Sequence, residues 1–359
     1  MRIAQVSPLY ESVPPQSYGG TERVVSYLTE ELVGQRHDVT LFASGDSLTR
    51  AQLVPVVDRS LRWSRCADPL AHHILMLEAV ARRADEFDVI HFHIDYLHFP
   101  LSRRLGTRQL TTLHGRLDLP DLVPIYREFA DMPVVSISGA QRRPLPWINW
   151  VGTVHHGLPP GLYTFHQSAR ERDEYLVFLG RISPEKRLDR AIRTAERAGM
   201  PLKIAAKIDK ADAEYFNDVI RPLLRSPLVE YLGEVNDRDK NDLLGGARAL
   251  LFPIDWPEPF GLAMIESLAC GTPVIATPRG SVPEIVEHGI TGFIVENLEE
   301  AARAVERAGS LSRRACREAF ERRFNAARMA REYVALYEQI VAARGPGLSV
   351  IGAEAAEAI

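Results

Sequence analysis

The chain has 359 residues, 46% of them hydrophobic, which is enough to bury a large core and too long for one typical domain. Charged residues make up 25% and the net charge is −4, so no basic excess indicates nucleic acid as a partner. Three widely spaced cysteines, without a CxxC pair, indicate neither a disulfide framework nor a zinc site and fit a reducing, cytoplasmic environment. The N-terminal MRIAQVSPLY is typical of a buried strand rather than of an export signal. No stretch reaches the about 18 apolar residues of a membrane span, which leaves only peripheral membrane contact open.

Short strand-like runs alternate with longer helical patterns, which is typical of parallel strands joined by helices. In the first half, strands are predicted at residues 2–6, 39–43, 53–57, 88–92, 110–113, 134–136 and 153–155. Helices are predicted at residues 21–33, 69–84 and 119–130.

A polar stretch, HQSARERDE at 166–174, is the best candidate for an interdomain linker. Beyond it, strands are predicted at residues 175–179, 202–206, 229–232, 249–252, 273–276 and 293–295, with helices between them. We therefore predict an α/β protein with two doubly wound Rossmann-like domains, at residues 1–166 and 167–325. Residues 326–359 are expected to form a C-terminal helix that packs back towards the N-terminal domain, followed by a flexible tail. Ligands should bind in a cleft at the carboxyl ends of the strands.

The first candidate site residues are Gly19 and Gly20, which follow the first strand and a Pro-rich loop and start a predicted helix. Glycine lets a ligand approach the backbone, and free N–H groups at a helix start attract phosphate. The loop lacks the GxGxxG pattern of dinucleotide-binding folds, so an ordinary helix cap explains it equally well.

The second candidate is LVFLGRISPEKR at 176–187, where a strand ends and a helix is predicted to begin with Ser183 as its cap. Lys186 would then lie in the first helical turn, where the helix dipole disfavours a cation unless an anion is near. Together with Arg181 it would present positive charge to one point, as binding of a diphosphate requires. The alternative is an internal ion pair with Glu185.

The third candidate is EPFGLAMIESLACGTPVI at 258–275, which follows a buried strand. Pro259 and Gly261 disfavour a helix through Glu258, so this carboxylate is expected on a loop, with Glu266 in the next helix. A loop carboxylate beside a helix N-terminus can hold sugar hydroxyls, and the N–H groups after it can bind phosphate. The alternative for Glu266 is a solvated position, but its mostly apolar flank favours partial burial.

This third segment resembles the Glu, seven residues, Glu motif of the retaining glycosyltransferases of family four, which have the GT-B fold. The resemblance covers nearly the whole chain: it includes the glycine loop, TTLHG at 111–115, GRISPEK at 180–186 and GTPVIATPRGSVPEIVEHGITGFIV at 271–295. It implies two Rossmann-like domains facing a central cleft, with the acceptor on the N-terminal domain and the nucleotide sugar on the C-terminal domain. The implied activity is transfer of a hexose from a nucleotide diphosphate sugar to an acceptor.

The resemblance also implies a role for each candidate residue of the second domain. Arg181 and Lys186 would clamp the donor diphosphate, and Glu266 would accept hydrogen bonds from the nucleotide ribose. Glu258 looks like the residue that holds the hydroxyls of the transferred sugar. The backbone that completes this sugar pocket would belong to Phe260, Gly261 and Leu262.

In the first domain, His114 looks like the histidine that faces the sugar, so we expect it to be catalytic together with the two cations and the loop glutamate. Gly20, with its neighbour Gly19, looks like the loop glycine near the phosphates and the acceptor. The segment GEVND at 233–237, which contains Glu234 and Val235, resembles the loop whose backbone meets the nucleobase.

The sequence departs from the family pattern in two places. A glycine-rich turn is common after the second strand of the C-terminal domain, but here the sequence is AAKID at 205–209. An Asn-Gly pair is common at the interdomain crossing, where this chain has His156 and Gly157. Contacts at the first place are therefore open, and His156 is a candidate for the acceptor cleft only.

Two histidines, His91 and His93, share one strand face, and Asp95 follows them, which is a spacing that metal ligands can have. No second ligand cluster accompanies them, and the resemblance implies a metal-independent donor site without a cofactor. We therefore expect His93 and Asp95 at the edge of the acceptor cleft.

The expected chemistry depends on positive potential at the leaving diphosphate. The family resemblance, together with the lack of an identified nucleophile beneath the anomeric carbon, implies a front-face route, in which the leaving phosphate accepts the acceptor proton. The resemblance at GEVND and at Glu266 implies a UDP-sugar such as UDP-glucose as the donor, with a GDP-sugar as the alternative, and the acceptor is not indicated. Two other functions remain open: a sugar-nucleotide 2-epimerase on the same fold and a catalytically silent nucleotide-sugar-binding protein. A serine hydrolase is excluded because no GxSxG follows a strand.

Overall fold

The computed structural model describes residues 1–16, 19–64, 66–167 and 175–343. Its contacts divide the chain into two compact units: an N-terminal unit of Met1–His156 with the residues from Ala326 onward, and a C-terminal unit of Gly157–Asn325. The boundary predicted from the sequence lies after residue 166, within the second of these units. Most of the predicted linker, at 168–174, and the predicted flexible tail lie outside the described residues.

The N-terminal unit is built on a parallel sheet of seven strands, in the order β3-β2-β1-β4-β5-β6-β7. The strands are β1 (Arg2–Val6), β2 (Asp38–Ser44), β3 (Gln52–Val57), β4 (Val89–Phe92), β5 (Gln109–Thr112), β6 (Val134–Ser136) and β7 (Trp150–Thr153). Its first five helices are α1 (Gly20–Gly34), α2 (Pro69–Arg82), α3 (Phe99–Leu105), α4 (Leu122–Glu128) and α5 (Gly139–Arg142). The strand order reverses between β1 and β4, which is where ligands bind in open α/β sheets.

The C-terminal unit has a parallel sheet of six strands, in the order β10-β9-β8-β11-β12-β13. The strands are β8 (Leu176–Arg181), β9 (Leu202–Lys207), β10 (Val229–Gly233), β11 (Ala249–Phe252), β12 (Val274–Ala276) and β13 (Gly292–Ile294). Its helices are α6 (Leu188–Ala198), α7 (Ala213–Tyr215), α8 (Arg221–Leu223), α9 (Asp237–Gly246), α10 (Leu262–Ala269), α11 (Val282–Ile285), α12 (Leu298–Ala308) and α13 (Arg313–Arg323). Here the order reverses between β8 and β11.

The last helix, α14 (Ala326–Ala342), packs against α1 and β4 of the N-terminal unit. Its buried face includes Tyr333 and Tyr337, whose hydroxyl groups lie within the hydrogen-bond network of that unit. No helix within the described ranges is long and apolar enough to cross a membrane.

The predicted fold class is confirmed, because both sheets are parallel and doubly wound. The strand predicted at 153–155 is the least accurate, since β7 is Trp150–Thr153. In the structure, Trp150 pairs with Val134 of β6 and donates its indole N–H to the carbonyl of Leu145 at 2.8 Å. Because of this tertiary packing, the strand begins three residues before the predicted position.

Candidate active site

The predicted site residues of the C-terminal unit lie beyond the carboxyl ends of its strands. Arg181 is the last residue of β8, and Lys186 lies in a short 3-10 turn that follows it. Glu258 lies in the loop after β11, and Gly261 precedes α10. The order reversal between β8 and β11 therefore brings the second and third sequence motifs to one edge of the sheet.

Lys186 and Glu258 form a direct ion pair, between the lysine Nζ and the carboxylate Oε2. The side chains are only 16% and 9% exposed, so most of the pair is shielded from water. The indole N–H of Trp256 donates to the same oxygen at 2.9 Å, and the lysine Nζ lies 4.8 Å from the centre of the Trp256 ring. Sequence reasoning missed Trp256, although its position in the turn two residues before Glu258 is a usable signal.

The loop that carries Glu258 is held by the chain after β12. Ser281 donates its backbone N–H to the carbonyl of Glu258 at 3.0 Å and its hydroxyl to the carbonyl of Phe260 at 2.6 Å. Gly280 packs so closely that a Cβ there would lie 2.2 Å from the Glu258 carbonyl oxygen. Gly261 has a φ of +86°, which favours glycine directly before α10. The site loop thus depends on Gly280 and Ser281, to which sequence reasoning gave no role.

Arg181 lies among carboxylates. It pairs with Glu185, and its guanidinium lies 3.5 Å from Asp212 and 3.7 Å from Asp209. Burial raises the pKa of Asp212, and the charges of Glu185 and Asp209 add to this, despite the opposing effect of Arg181. The internal pair with Glu185 that the sequence left open is therefore present in the structure.

Asp209 belongs to the AAKID segment in which the chain departs from the family pattern. Its carboxylate lies near Arg181 and also forms an ion pair with Lys207 at 2.9 Å. The departure thus adds charged side chains around Arg181 in place of glycine backbone.

Glu266 lies in α10 and is buried, which rules out the solvated alternative. Its Oε1 accepts a hydrogen bond from the Tyr163 hydroxyl at 3.1 Å and pairs with Lys240 Nζ at 2.9 Å. Neither partner was indicated by the sequence, because they lie in different segments. The proposed nucleobase loop residues Glu234 and Val235 lie between β10 and α9 and are exposed and partly buried, respectively.

In the N-terminal unit, His93, His114 and His156 meet beyond the carboxyl ends of β4, β5 and β7. His93 Nδ1 and His114 Nε2 are 2.9 Å apart, and the rings of His114 and His156 stack with centres 5.3 Å apart. Burial lowers the pKa of His114 to about 3 and holds the pKa values of His93 and His156 well below their usual range. All three rings are therefore neutral near pH 7.

Two of the residues expected at the acceptor cleft take interior positions. His93 is 3% exposed, and its other nitrogen, Nε2, bonds to Gln5 Oε1 at 2.8 Å. His156 is buried as well. Asp95 is partly buried, has a φ of +49° and accepts the backbone N–H of His114; burial raises its pKa to about 6.

Both ring nitrogens of His91 are hydrogen-bonded within the protein. His91 is bonded through Nδ1 to the Tyr337 hydroxyl and through Nε2 to Thr112 Oγ1, both at 2.7 Å. Within the described ranges, no group of three or more His, Cys, Asp or Glu side chains is arranged to hold a metal ion.

The glycine pair takes the predicted place at the start of α1, which begins at Gly20. Gly19 precedes the helix without a side-chain cap, and a Cβ there would lie 2.8 Å from the Cβ of Pro15. Close packing against the Pro-rich loop therefore accounts for Gly19, while a ligand role for either glycine stays a prediction.

Comparison with known proteins identifies the family. The model of glycosyl transferases group 1 matches residues 163–323, and that of glycosyltransferase family 4 matches residues 18–150. A GDP-mannose-dependent alpha-(1-6)-phosphatidylinositol dimannoside mannosyltransferase of Mycobacterium tuberculosis is 30% identical in an alignment 336 residues long, which covers 84% of this chain and 85% of the relative.

Solved structures agree with this result. AviGT4, a glycosyltransferase involved in avilamycin A biosynthesis, is 27% identical with a TM-score of 0.74, covering 95% of this chain and 98% of its own. Anabaena HepE in complex with UDP-glucose is 17% identical with a TM-score of 0.70, covering 94% of this chain and all of its own, and shows the fold alone. The predicted GT-B fold is confirmed, and the chain belongs to the glycosyltransferases of family 4.

Proposed function

We propose that this glycosyltransferase transfers a hexose from a nucleoside diphosphate sugar to a hydroxyl acceptor with retention of the anomeric configuration. The contact between Lys186 and Glu258 carries the proposal. In a sugar nucleotide, one C–O bond joins the sugar to the diphosphate, so a cation for the phosphate and a carboxylate for the sugar hydroxyls must lie side by side. The pair meets this requirement, which supports placing the scissile bond beside it.

The leaving diphosphate gains negative charge as the anomeric C–O bond breaks, so fixed positive charge stabilises the transition state. In this proposal Lys186 and Arg181 supply that charge, and the N-terminus of α10 adds the partial charge of its N–H groups. Glu258 holds hydroxyls of the sugar, and Glu266 accepts a hydrogen bond from the ribose. His114 contributes to binding of the transferred sugar.

Retention is proposed to follow a front-face route. The acceptor oxygen forms its bond to the anomeric carbon on the face that the diphosphate leaves, and the acceptor proton passes to a departing phosphate oxygen. This route uses no nucleophilic side chain. The anomer of the glycoside product, read by NMR, tests retention; an inverted product refutes the route.

Because the proposed charge partners are side chains and a helix end, turnover is expected without a divalent cation. A chelator should leave the rate unchanged. Loss of activity that manganese restores would refute the metal-independent site.

UDP-hexose is the first candidate donor, supported by the resemblance of the Glu234 and Val235 loop and of Glu266 to the nucleotide-binding positions of the family. GDP-mannose is the second, because the name of the mycobacterial relative specifies it. A thermal-shift panel of uridine, guanosine and adenosine diphosphates tests this, since a ligand at about 100 times its Kd stabilises by about 2.7 kcal/mol. A largest shift with guanosine diphosphate would favour the second donor, and one with adenosine diphosphate would exclude both.

Incubation with the donor that fits best separates transfer from the alternatives. Slow hydrolysis without acceptor, and faster release of nucleotide with one, supports a transferase. Inversion at C2 of the free sugar nucleotide would identify an epimerase, and no conversion under any condition would identify a silent binding protein.

A further inference from the structure

A chain of buried hydrogen bonds lies behind His114. Gln5 of β1 bonds through Oε1 to His93 Nε2 at 2.8 Å, and His93 Nδ1 bonds to His114 Nε2 at 2.9 Å. Gln5 is fully buried and His93 nearly so, whereas His114 is partly exposed. This series of hydrogen bonds runs from the interior of the sheet to its carboxyl edge.

The partners fix which nitrogen of each ring carries hydrogen. The Gln5 amide nitrogen donates to the Tyr337 hydroxyl at 3.1 Å, so the amide oxygen faces His93 and must accept. His93 therefore carries its hydrogen on Nε2. A neutral imidazole has one N–H, so His93 Nδ1 is an acceptor, and His114 must donate from Nε2.

We propose that Gln5 and His93 are positioning residues that fix the tautomer of His114, so that its Nδ1 keeps a lone pair for a hydroxyl of the transferred sugar. This inference rests on the proposed function, in which His114 binds the sugar. Among the described residues, His114 Nδ1 has no hydrogen-bond partner. The ring of His156, stacked on His114, restrains its rotation.

The fixed tautomer determines the class of sugar. A lone pair on Nδ1 accepts a hydrogen bond from a hydroxyl, gains nothing from a deoxy position and repels a carboxylate. The low pKa of His114 supports this, because a protonated ring would donate from both nitrogens. A neutral hexose with a hydroxyl at this point is therefore favoured over the corresponding deoxyhexose and hexuronic acid.

The same network offers a matched control. On its other branch, His91 bonds to Thr112 Oγ1 at 2.7 Å, and Thr112 bonds to the Tyr333 hydroxyl at 2.8 Å. Thr112→Val removes these bonds with little change of shape and touches neither Gln5 nor His93. It should therefore lower stability without changing His114.

The test is long-range ¹⁵N–¹H NMR of the full chain labelled in histidine, which reports the protonated nitrogen of each ring. In the wild type we expect Nε2–H for both His93 and His114, with no titration between pH 6 and 8. His93→Leu should leave His114 as a mixture of tautomers. His93→Asn places an amide oxygen near the former Nδ1 and should restore the single tautomer, as Thr112→Val should retain it.

An Nδ1–H tautomer of His114 in the wild type would overturn the proposal, even if no variant folds. So would an unchanged single tautomer in His93→Leu.

Steady-state kinetics give a second readout, using the sugar nucleotide that the wild type turns over. His93→Leu should lower kcat/KM about tenfold, as expected for loss of one oriented hydrogen bond, with little change in His93→Asn. Affinity for the bare nucleoside diphosphate should stay the same in all variants. If the wild type turns over no sugar nucleotide, the proposed function fails while the NMR result still decides the tautomer.

Discussion

Replacing Glu258 by Gln tests the central ion pair with almost no change of shape. In the sequence interpretation, Glu258 contacts only the sugar, so affinity for a bare nucleoside diphosphate should be unchanged. In the structure, Glu258 is the partner of Lys186, so its carboxylate competes with a phosphate for the same ammonium group. The structure therefore predicts that Glu258→Gln binds uridine diphosphate more tightly than the wild type.

The magnitude follows from the burial of the pair. Removing one partner of a buried pair costs about 3 to 5 kcal/mol, and the lower end applies here because Lys186 is 16% exposed and keeps its contact with the Trp256 ring. A bound phosphate recovers part of this cost. We expect a gain of about 1.4 kcal/mol in binding, which is tenfold in Kd. Turnover should fall about 10- to 100-fold, because the sugar loses a hydrogen bond to a charged group.

Calorimetric titration with uridine diphosphate, beside steady-state rates and thermal melts, measures all three quantities. Lys186→Met is the matched variant, because it keeps an unbranched apolar side chain and removes the charge. It should weaken diphosphate binding and lower turnover together. If Glu258→Gln weakened diphosphate binding as much as Lys186→Met while both stayed folded, the assignment of the carboxylate to the sugar would be wrong.

Three further changes test other parts of the site. Asp212→Asn removes one of the carboxylates around Arg181 and should strengthen diphosphate binding severalfold by calorimetry; weaker binding would contradict this. Buried neutral histidines such as His114 bind protons only when the chain is unfolded. The free energy of unfolding should therefore decrease as the pH drops below about 6.5, by about 1.4 kcal/mol per pH unit for each ring. Equal stability at pH 7 and pH 5 in urea unfolding would refute this. Gly280→Ala should abolish most turnover, because the added Cβ displaces the site loop. Gly289→Ala, which is also at positive φ but in open space, should lower stability and leave turnover unchanged. Equal turnover in the two variants would disprove the role of Gly280 in the loop.

The fold could be predicted because parallel strands buried on both faces appear as short, nearly continuous apolar runs. Residues 249–252 and 134–136 were predicted with the bounds that the structure has. Boundaries set by long-range packing were less accurate, as at Trp150, whose burial and pairing with Val134 depend on a segment 16 residues away. The elements follow from local pattern, whereas their ends follow from neighbours in the sheet.

The roles of the candidate site residues stay predictions, and the contacts between these residues were not accessible from the sequence. Lys186 and Glu258 were both identified, but their pairing joins positions 72 residues apart and depends on the order of strands β8 and β11. The same holds for Gln5, whose role appears only once β1 is placed beside β4. An isolated polar residue in the buried strand RIAQV was the available signal, since a buried amide requires partners.

The turn after β8 places Lys186 before the helix rather than in its first turn. The sequence predicted an α-helix from Ser183, in which the dipole would oppose Lys186 and an anion would be needed to balance it. Instead Pro184–Lys186 forms one 3-10 turn, Arg187 has a φ of +54°, and α6 begins at Leu188. Lys186 therefore lies outside the first turn of α6, and the dipole no longer demands an anion there.

What balances Lys186 in the structure is Glu258, the same residue that the proposal assigns to the sugar. In that proposal, donor binding exchanges one anion for another at the ammonium group, and the carboxylate that is released accepts hydrogen bonds from sugar hydroxyls. A bare nucleoside diphosphate offers the phosphate without the hydroxyls, so it displaces the carboxylate and gives it no new partner. In the same proposal the complete sugar nucleotide satisfies both groups, so we expect the ion pair to favour the intact donor over its nucleotide product.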